Sequence, residues 1–239
     1  MSGLNDLGQP VGLPVTTALP RPRPPHVVLE GRYGRLVPLR EIHAEGLYEA
    51  FSEDPEGRGW TYMPNGPWQS VTQAQAWCRT GQGSADPMFW CIQEPEGTPL
   101  GFCSVLRIAP EVGSIEVGFI HFAPRLQRTR LATEVMYLLM RFAFDDLGYR
   151  RYEWKCDALN APSRQAAHRL GFTFEGVFRQ ATVTKGRNRD TAWFSILDHE
   201  WPALREAFET WLDPANFDGD ANQRRSLGEL AKAALPVRS

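Results

Sequence analysis

An α/β domain, a mixed sheet covered by helices on both faces, is the architecture this chain points to. Three observations carry that expectation. The strand-like runs 89–93 and 101–108 are joined by Glu94-Pro95-Glu96-Gly97-Thr98-Pro99, a natural hairpin turn that imposes antiparallel pairing. A strand–helix–strand unit from Ser114 to Cys156 implies a parallel pair. Two further strands, 172–183 and 191–197, flank the polar turn Lys185-Gly186-Arg187-Asn188-Arg189-Asp190.

The elements follow in order. Leu19-Pro20-Arg21-Pro22-Arg23-Pro24-Pro25 is polyproline-type sequence, so residues 1–30 read as an extended, solvated arm. Arg35 to Leu39 is a short strand. Ile42 to Phe51 places Leu47 and Phe51 four apart, as an amphipathic helix requires. An aromatic loop, Trp60 to Trp68, precedes a second helix that Thr72 and Gln75 open in capping-box fashion and that runs to about Arg79. After the strand Ser114–Phe122, a helix from about Arg128 sets Leu131, Val135, Leu138 and Phe142 on one face, ending at Leu147-Gly148. Arg151 to Cys156 is a strand, Ala161 to Leu170 a helix stopped by Gly171, and Trp201 to Leu212 the last helix of a domain spanning 31–212. The extension 213–239 turns polar and then offers a short helix with a capping box at Ser226 and Glu229.

Composition narrows the function classes. With 26 Lys and Arg against 28 Asp and Glu, charge is nearly balanced, which argues against nucleic acid as a partner. No apolar run reaches membrane-span length, and the opening residues lack the pattern of a secretory signal, so the expected location is cytoplasmic. Cys78, Cys91, Cys103 and Cys156 form no C-x-x-C pair and have no histidine at zinc-site spacing. They read as reduced, buried thiols, and no metal site is expected.

The most informative stretch is Gln127-Arg128-Thr129-Arg130-Leu131-Ala132, where a strand feeds a helix N-terminus. The first amides of a helix lack internal partners and the macrodipole adds positive potential there. With Arg128, Thr129 and Arg130 crowding the mouth, such a site suits the pyrophosphate of a nucleotide-like cofactor.

Element order and residues together resemble the GCN5-related N-acetyltransferase (GNAT) superfamily, in particular its RimJ/RimL-like branch. The family's cofactor motif, Q/R-x-x-G-x-G/A, is matched at Gln127 and Ala132, with Arg130 where glycine is usual. A second hallmark, an Asn after the fifth strand and a helix ending in Gly-Phe, fits Asn160-Ala161-Pro162-Ser163 through Leu170-Gly171-Phe172. The likeness covers roughly residues 35–197. It implies a three-layer sandwich whose central sheet is mixed, mostly antiparallel, with a splayed central strand.

The resemblance implies acetyl-CoA as cofactor and acetyl transfer to a primary amine, a protein N-terminus or a small molecule, by direct attack in a ternary complex. Gly118, Phe119 and Ile120 would bind the pantetheine arm through their backbone, with amides there stabilising the oxyanion. Gln127, Arg128, Thr129, Arg130, Leu131, Ala132 and Thr133 would hold the pyrophosphate, and Asn160 the pantetheine amide. An arginine at 130 is compatible with that role if its side chain swings outward. The leaving thiolate needs a proton. Many relatives use a tyrosine where this chain has Ala167, whereas this branch uses a serine, here Ser163; a simple first-turn role for Ser163 stays open.

An amine must be neutral to attack, and Glu116, in an apolar strand two residues before Gly118, is the candidate base. A salt bridge to Arg107 is the equal alternative. Cys156 and His168 read as packing residues. Trp60, Tyr62 and Trp68 could wall an acceptor site, or close a loop over the core, and Arg187 could meet an acidic acceptor group. A homodimer is compatible with the sequence. A non-catalytic acyl-CoA-binding module is the alternative, favoured by Arg130 and Ala167.

Overall fold

Largely apolar central strands, buried on both faces, build one eight-stranded sheet, seen in a computed structural model that describes residues 2–235. An N-terminal hairpin, β1 (Ser2–Leu4) with β2 (Pro10–Gly12), stands apart from it. The sheet comprises β3 (Leu29–Glu30), β4 (Arg35–Pro38), β5 (Met88–Gln93), β6 (Pro99–Ala109), β7 (Ser114–Phe122), β8 (Arg151–Asp157), β9 (Thr173–Thr184) and β10 (Arg187–Leu197). Their spatial order is β3-β4-β5-β6-β7-β8-β10-β9. Only β7 and β8 pair in parallel; every other neighbour is antiparallel.

Two hydrophobic clusters lie on opposite faces. On one, α1 (Ala44–Phe51) and α2 (Val71–Gly81) bury Leu47, Phe51 and Cys78 against Phe89, Cys91 and Phe102. On the other, α3 (Arg130–Arg141), α4 (Ala161–Arg169), α5 (Trp201–Leu212) and α6 (Leu227–Ala234) pack on Trp90, Val105, Ile115, Val117, Tyr152 and Phe194. Helices therefore cover both faces of a mixed, mostly antiparallel sheet, as the pattern requires. None of the helices among the described residues is long and apolar enough to cross a membrane.

Boundaries differ from expectation where a local cap or turn outweighs periodicity. Ser70, not Thr72, caps α2, its hydroxyl accepting from the Gln73 amide at 3.3 Å. The helix α3 begins at Arg130, because Arg128 has φ +63° and Thr129 caps, taking the Ala132 amide at 3.1 Å. It passes at Phe142 into a π-turn that runs to Asp146. The β9–β10 turn is only Lys185-Gly186, both with positive φ as a two-residue hairpin turn demands, so Arg187 to Asp190 belong to β10.

The Pro-rich arm is a correction. Residues 21–28 are docked along the domain, although Pro22, Arg23, Pro25, His26 and Val28 stay exposed. The Arg21 amide donates to Pro110 O at 3.0 Å, Tyr149 Oη to Pro22 O at 3.0 Å, and Trp90 Nε1 to Val27 O at 2.9 Å. Polyproline backbone keeps its carbonyls unpaired, and the polar tips of otherwise buried aromatics take them. The capping box at Ser226 and Glu229 is present, and Leu227, Leu230 and Ala231 dock α6 into the core, so the C-terminal extension is structured; its residues 236–239 lie outside the described ones.

Candidate active site

The register of β7 against β8 builds the site. Pairing runs from Ser114↔Arg151 to Val117↔Trp154 and stops. Beyond it β8 continues alongside β10, while Gly118 to Phe122 follow β6 alone. A bulge opposite Cys103 sharpens the departure: Ser104 pairs with Gly118 but Phe102 with His121, and Phe119 sits at φ +48°. A Cβ at Gly118 would meet Leu106 Cδ2 at 2.8 Å, so a larger residue would have to move the tip of that side chain. The Ser104 hydroxyl donates to Gly118 O at 3.1 Å and fixes the kink.

A cleft of about 1670 Å³ opens between the parted strands. Gly118, Phe119 and Ile120 line its middle, and Gln127, Arg128, Thr129, Arg130, Ala132 and Thr133 line one end. Leu131 is the exception in that stretch: its side chain is buried in the core, leaving only its backbone available. Arg130 does not plug the cleft. Its guanidinium lies 4.7 Å from the Phe217 ring centroid and 5.1 Å from that of Tyr33, swung out from the helix mouth. Neither Arg128, Arg130 nor Arg169, which lines the same end, has a carboxylate within ion-pair distance among the described residues.

Across the cleft, Asn160 caps α4, its Oδ1 accepting from the Ser163 amide at 3.1 Å. Ser163 Oγ accepts from Trp154 Nε1 at 3.0 Å, and its hydroxyl hydrogen faces the Cys156 thiol. Cys156 also lines the cleft, but burial pushes its thiol up, opposed by a bond from Ser163, as befits a packing residue.

Glu116 lines the cleft and is only 3 % exposed. It pairs with Arg107 at 2.6 Å, as the alternative reading held, and also with Lys155 at 2.8 Å. Lys155 Nζ lies 2.7 Å from Glu153 and 3.7 Å from the centroid of the Trp193 ring. Burial alone would raise the Glu153 carboxyl, but bonds from Lys155 and Arg151 override it and hold it below the usual carboxylate range. Sequence reasoning missed Lys155 as a partner of Glu116, because only the parallel register brings β8 beside that carboxylate.

His121, expected only as the last residue of the arm-binding backbone segment 118–121, also has a side-chain setting that the sequence did not announce. It is 5 % exposed, lines the cleft, and packs 4.0 Å from Trp60 and 4.3 Å from Phe51, centroid to centroid. Burial drives its pKa down to about 4, with the Lys185 charge adding to the effect and the Asp54 carboxylate opposing it. The bulge is what turns this residue into the aromatic cluster, and no local pattern announces it.

The acceptor-side residues divide. Tyr62 lines the cleft, and its hydroxyl donates to Leu159 O at 3.1 Å, bridging the α1–α2 loop to the loop before α4. Trp60 and Trp68 do not line it; their rings pack on Phe51, Trp77 and Phe102 beneath α1 and α2. Apolar burial of two indoles outweighs exposure at the mouth. Arg187, displaced by the short turn, is exposed and off the lining, whereas Arg189 is on it. Lys185 reaches back to donate to Trp60 O at 2.7 Å. Asp54 and His121 flank Gly59, whose amide donates to Asp54 Oδ2 at 2.7 Å.

Comparison with known proteins adds to this geometry. A family model described as an acetyltransferase (GNAT) domain matches residues 35–173. The crystal structure of a GCN5-related N-acetyltransferase from Brucella melitensis is 43% identical, with a TM-score of 0.88, covering 91% of this chain and 100% of its own. That of a probable GNAT-family acetyltransferase from Chromobacterium violaceum is 38% identical, with a TM-score of 0.73, over 82% and 100%. The uncharacterized N-acetyltransferase p20 of Bacillus licheniformis is 27% identical over 180 residues, covering 72% of this chain and 99% of its own.

Proposed function

The chain belongs to the acetyltransferase (GNAT) family, and on that premise we propose that it uses acetyl-CoA to acetylate a primary amine by direct attack in a ternary complex. The observation that carries this reading is the parting of β7 from β8 beside an α3 N-terminus ringed by arginines that have no carboxylate partner among the described residues. The fit is specific to a long ligand with an anionic end. Backbone edge at Gly118–Ile120 suits an amide-bearing arm, and the first α3 amides with Arg128 suit phosphates. When bound, acetyl-CoA supplies the activated acetyl carbon.

The protein's own groups do the rest. Main-chain amides at the bulge hold an acyl oxygen, a contribution of about 3 kcal/mol per donor in comparable sites. Ser163, its oxygen already occupied by the Trp154 indole, turns its hydrogen from the Cys156 thiol toward the leaving sulfur. Asn160 keeps its Nδ2 group for the arm while its Oδ1 caps α4. Glu116 takes the amine proton, directly or through water, with the largely exposed Arg107 side chain as the partner able to swing away. An α-amine, near pKa 8, asks less of that base than a lysine near 10.4. Asp54, facing the cleft beside His121, offers a carboxylate to an incoming ammonium. A cytoplasmic enzyme with reduced thiols is the matching context, all four cysteines being buried and free.

The test is a thiol-release assay across an amine panel that includes short peptides with free N-termini, run beside a thermal-shift titration with acetyl-CoA. Amine-dependent release together with a raised melting temperature is the expected result. A thermal shift with no release for any amine would favour a non-catalytic acyl-CoA-binding module. No shift at millimolar acetyl-CoA would end the proposal.

A further inference from the structure

The β9–β10 hairpin forms one wall of the cleft through Thr182, Val183, Thr184 and Arg189. Pairing of the two strands jumps from Arg189↔Thr182 to Thr191↔Phe178, so residues 179–181 bulge opposite Asp190, with Gln180 at φ +48°. The bulge takes the Asp190 carboxylate into the hairpin itself. Its Oδ1 accepts from the Gln180 amide at 2.7 Å and from Asn188 Nδ2 at 2.9 Å. The Ala158 amide donates to Asp190 O at 2.8 Å and ties the hairpin to the loop before α4. Arg189 is thereby held on the cleft without the carboxylate next to it in the chain.

Every carboxylate lining the cleft already has a partner. Glu53 pairs with Arg125 at 2.6 Å, Glu56 with Arg58, and Glu116 with Arg107 and Lys155. Asp54 takes the Gly59 amide at 2.7 Å and Asp157 the Leu159 amide at 2.9 Å. Arg189 has none of them within ion-pair distance, and among the described residues no ring lies under its guanidinium. Its Nε is buried and without a hydrogen-bond partner. A buried donor left unpaired is unfavourable until something outside the chain takes it. Burial pushes the Cys156 thiol up and the Arg189 charge is among the groups opposing it, so the guanidinium stands near the end of β8, where the cleft opens. Lys185 at the hairpin tip adds a second cation with no carboxylate partner among the described residues, its ammonium resting on Trp60 O.

We propose that Arg189 is an anion site on the acceptor side of the cleft, so that the amines this enzyme acetylates also carry a carboxylate. The proposal rests on the acetyl-transfer reading above and names the acceptor class within it. A guanidinium takes a carboxylate through two parallel charge-assisted hydrogen bonds. Thr182 shares a face with Arg189 as its register partner, and its hydroxyl adds a donor beside the fork. A purely cationic acceptor would meet Arg189 and Lys185 uncompensated. The carboxylate can belong to a free amino acid or to an acidic residue beside a peptide N-terminus; both present the same chemistry.

Thiol-release kinetics on matched amines test this, each pair differing only in carboxylate against carboxamide. Alanine with alaninamide covers the free amino acid, and Ala-Asp amide with Ala-Asn amide covers the peptide, rates being corrected for the neutral fraction of each amine. In at least one pair the carboxylate member is expected to have a kcat/KM about tenfold higher or more. Arg189→Gln should remove that preference by slowing the carboxylate member, while the carboxamide member and KM for acetyl-CoA move by less than about twofold. Arg189→Lys, which keeps the charge but not the fork, should restore part of it. The pair that shows the preference identifies the source of the carboxylate. Turnover of the carboxamides equal to that of the carboxylates overturns the proposal and leaves the acetyltransferase reading standing. So does a preference that survives Arg189→Gln, or an equal loss for both members of a pair. Failure of the intact protein to acetylate any amine removes both readings.

Discussion

The two ends of the cleft handle charge in opposite ways. At the acyl end Glu116, Glu153, Lys155, Arg151 and Arg107 are paired with one another across β6, β7 and β8. At the other end Arg128, Arg130 and Arg169 face the cleft with no carboxylate in reach among the described residues, Arg130 and Arg169 lying against aromatic faces and Arg169 also donating to Thr133 Oγ1 at 3.2 Å. Charge neutralised within the fold holds strands in place. Charge left over at a concave surface has a ligand as its natural counterpart. Substitutions at the two ends should therefore differ in kind, damaging folding at one and binding at the other.

Lys155→Met offers the hardest blow to that contrast. It strips the shared cation from two buried carboxylates, and breaking such a pair costs about 3–5 kcal/mol. Urea denaturation should show a loss of that size, against a change of about 0.5 kcal/mol or less for Arg128→Ala at the exposed end. Similar midpoints for the two variants would abolish the distinction. Glu116→Gln belongs with this test: an unchanged turnover at neutral pH would leave the base role with no support.

The aromatic cluster supplies a charge that the fold refuses. His121 has a folded pKa of about 4 against 6.5 in the unfolded chain, so between these values the unfolded state binds more protons. Stability is then fully present above pH 6.5 and lost as pH falls toward 4, by about 3 kcal/mol. His121→Phe, which keeps a ring against Trp60 and Phe51, should flatten that part of the stability–pH curve. A variant curve parallel to that of the parent across pH 4 to 6.5 would show that His121 is not the group responsible.

Much of this arrangement is legible in sequence, and the rest fails for identifiable reasons. Strand–turn–strand spacing at 88–109 and 173–197, the α3 stripe, and the Asn160…Gly171-Phe172 pattern are local, and locality is what periodicity reads. The cleft-lining stretch from Gln127 to Thr133 follows from the same local logic. Lys155 opposite Glu116 and His121 among indoles depend on a parallel register and a bulge, which no window of a dozen residues encodes. The docked arm and the C-terminal extension were missed because polar, Pro-rich segments are bound here through backbone carbonyls and a single buried Asn216. Trp60 and Trp68 were left between two readings, an acceptor wall and a loop closing over the core; their rings join the aromatic cluster beneath α1 and α2.

Arg128 allows the contrast to be sharpened within one residue. Its φ of +63° is a left-handed conformation that costs a side-chain-bearing residue roughly 1 kcal/mol and glycine almost nothing. Arg128→Gly should raise the unfolding midpoint by an amount of that order while raising KM for acetyl-CoA about tenfold. Higher stability with weaker cofactor binding is expected only where strain is retained for a ligand's sake. If stability and affinity fall together, Arg128 is part of the scaffold and the anion end is less free than its geometry indicates.

Tyr62 makes the finest discrimination, because its hydroxyl ties the acceptor-side loop to the loop that carries Asn160. Tyr62→Phe removes one exposed hydrogen bond to Leu159 O and leaves the ring, so stability should change by less than about 1 kcal/mol. If the bridge shapes the acceptor mouth, KM for the amine should rise a few-fold while KM for acetyl-CoA holds. If it instead sets the position of Asn160, the effect transfers to acetyl-CoA and the amine is untouched. The second pattern would place the boundary between the two ends of the cleft one residue earlier, at Leu159, and would make the α1–α2 loop part of the cofactor site.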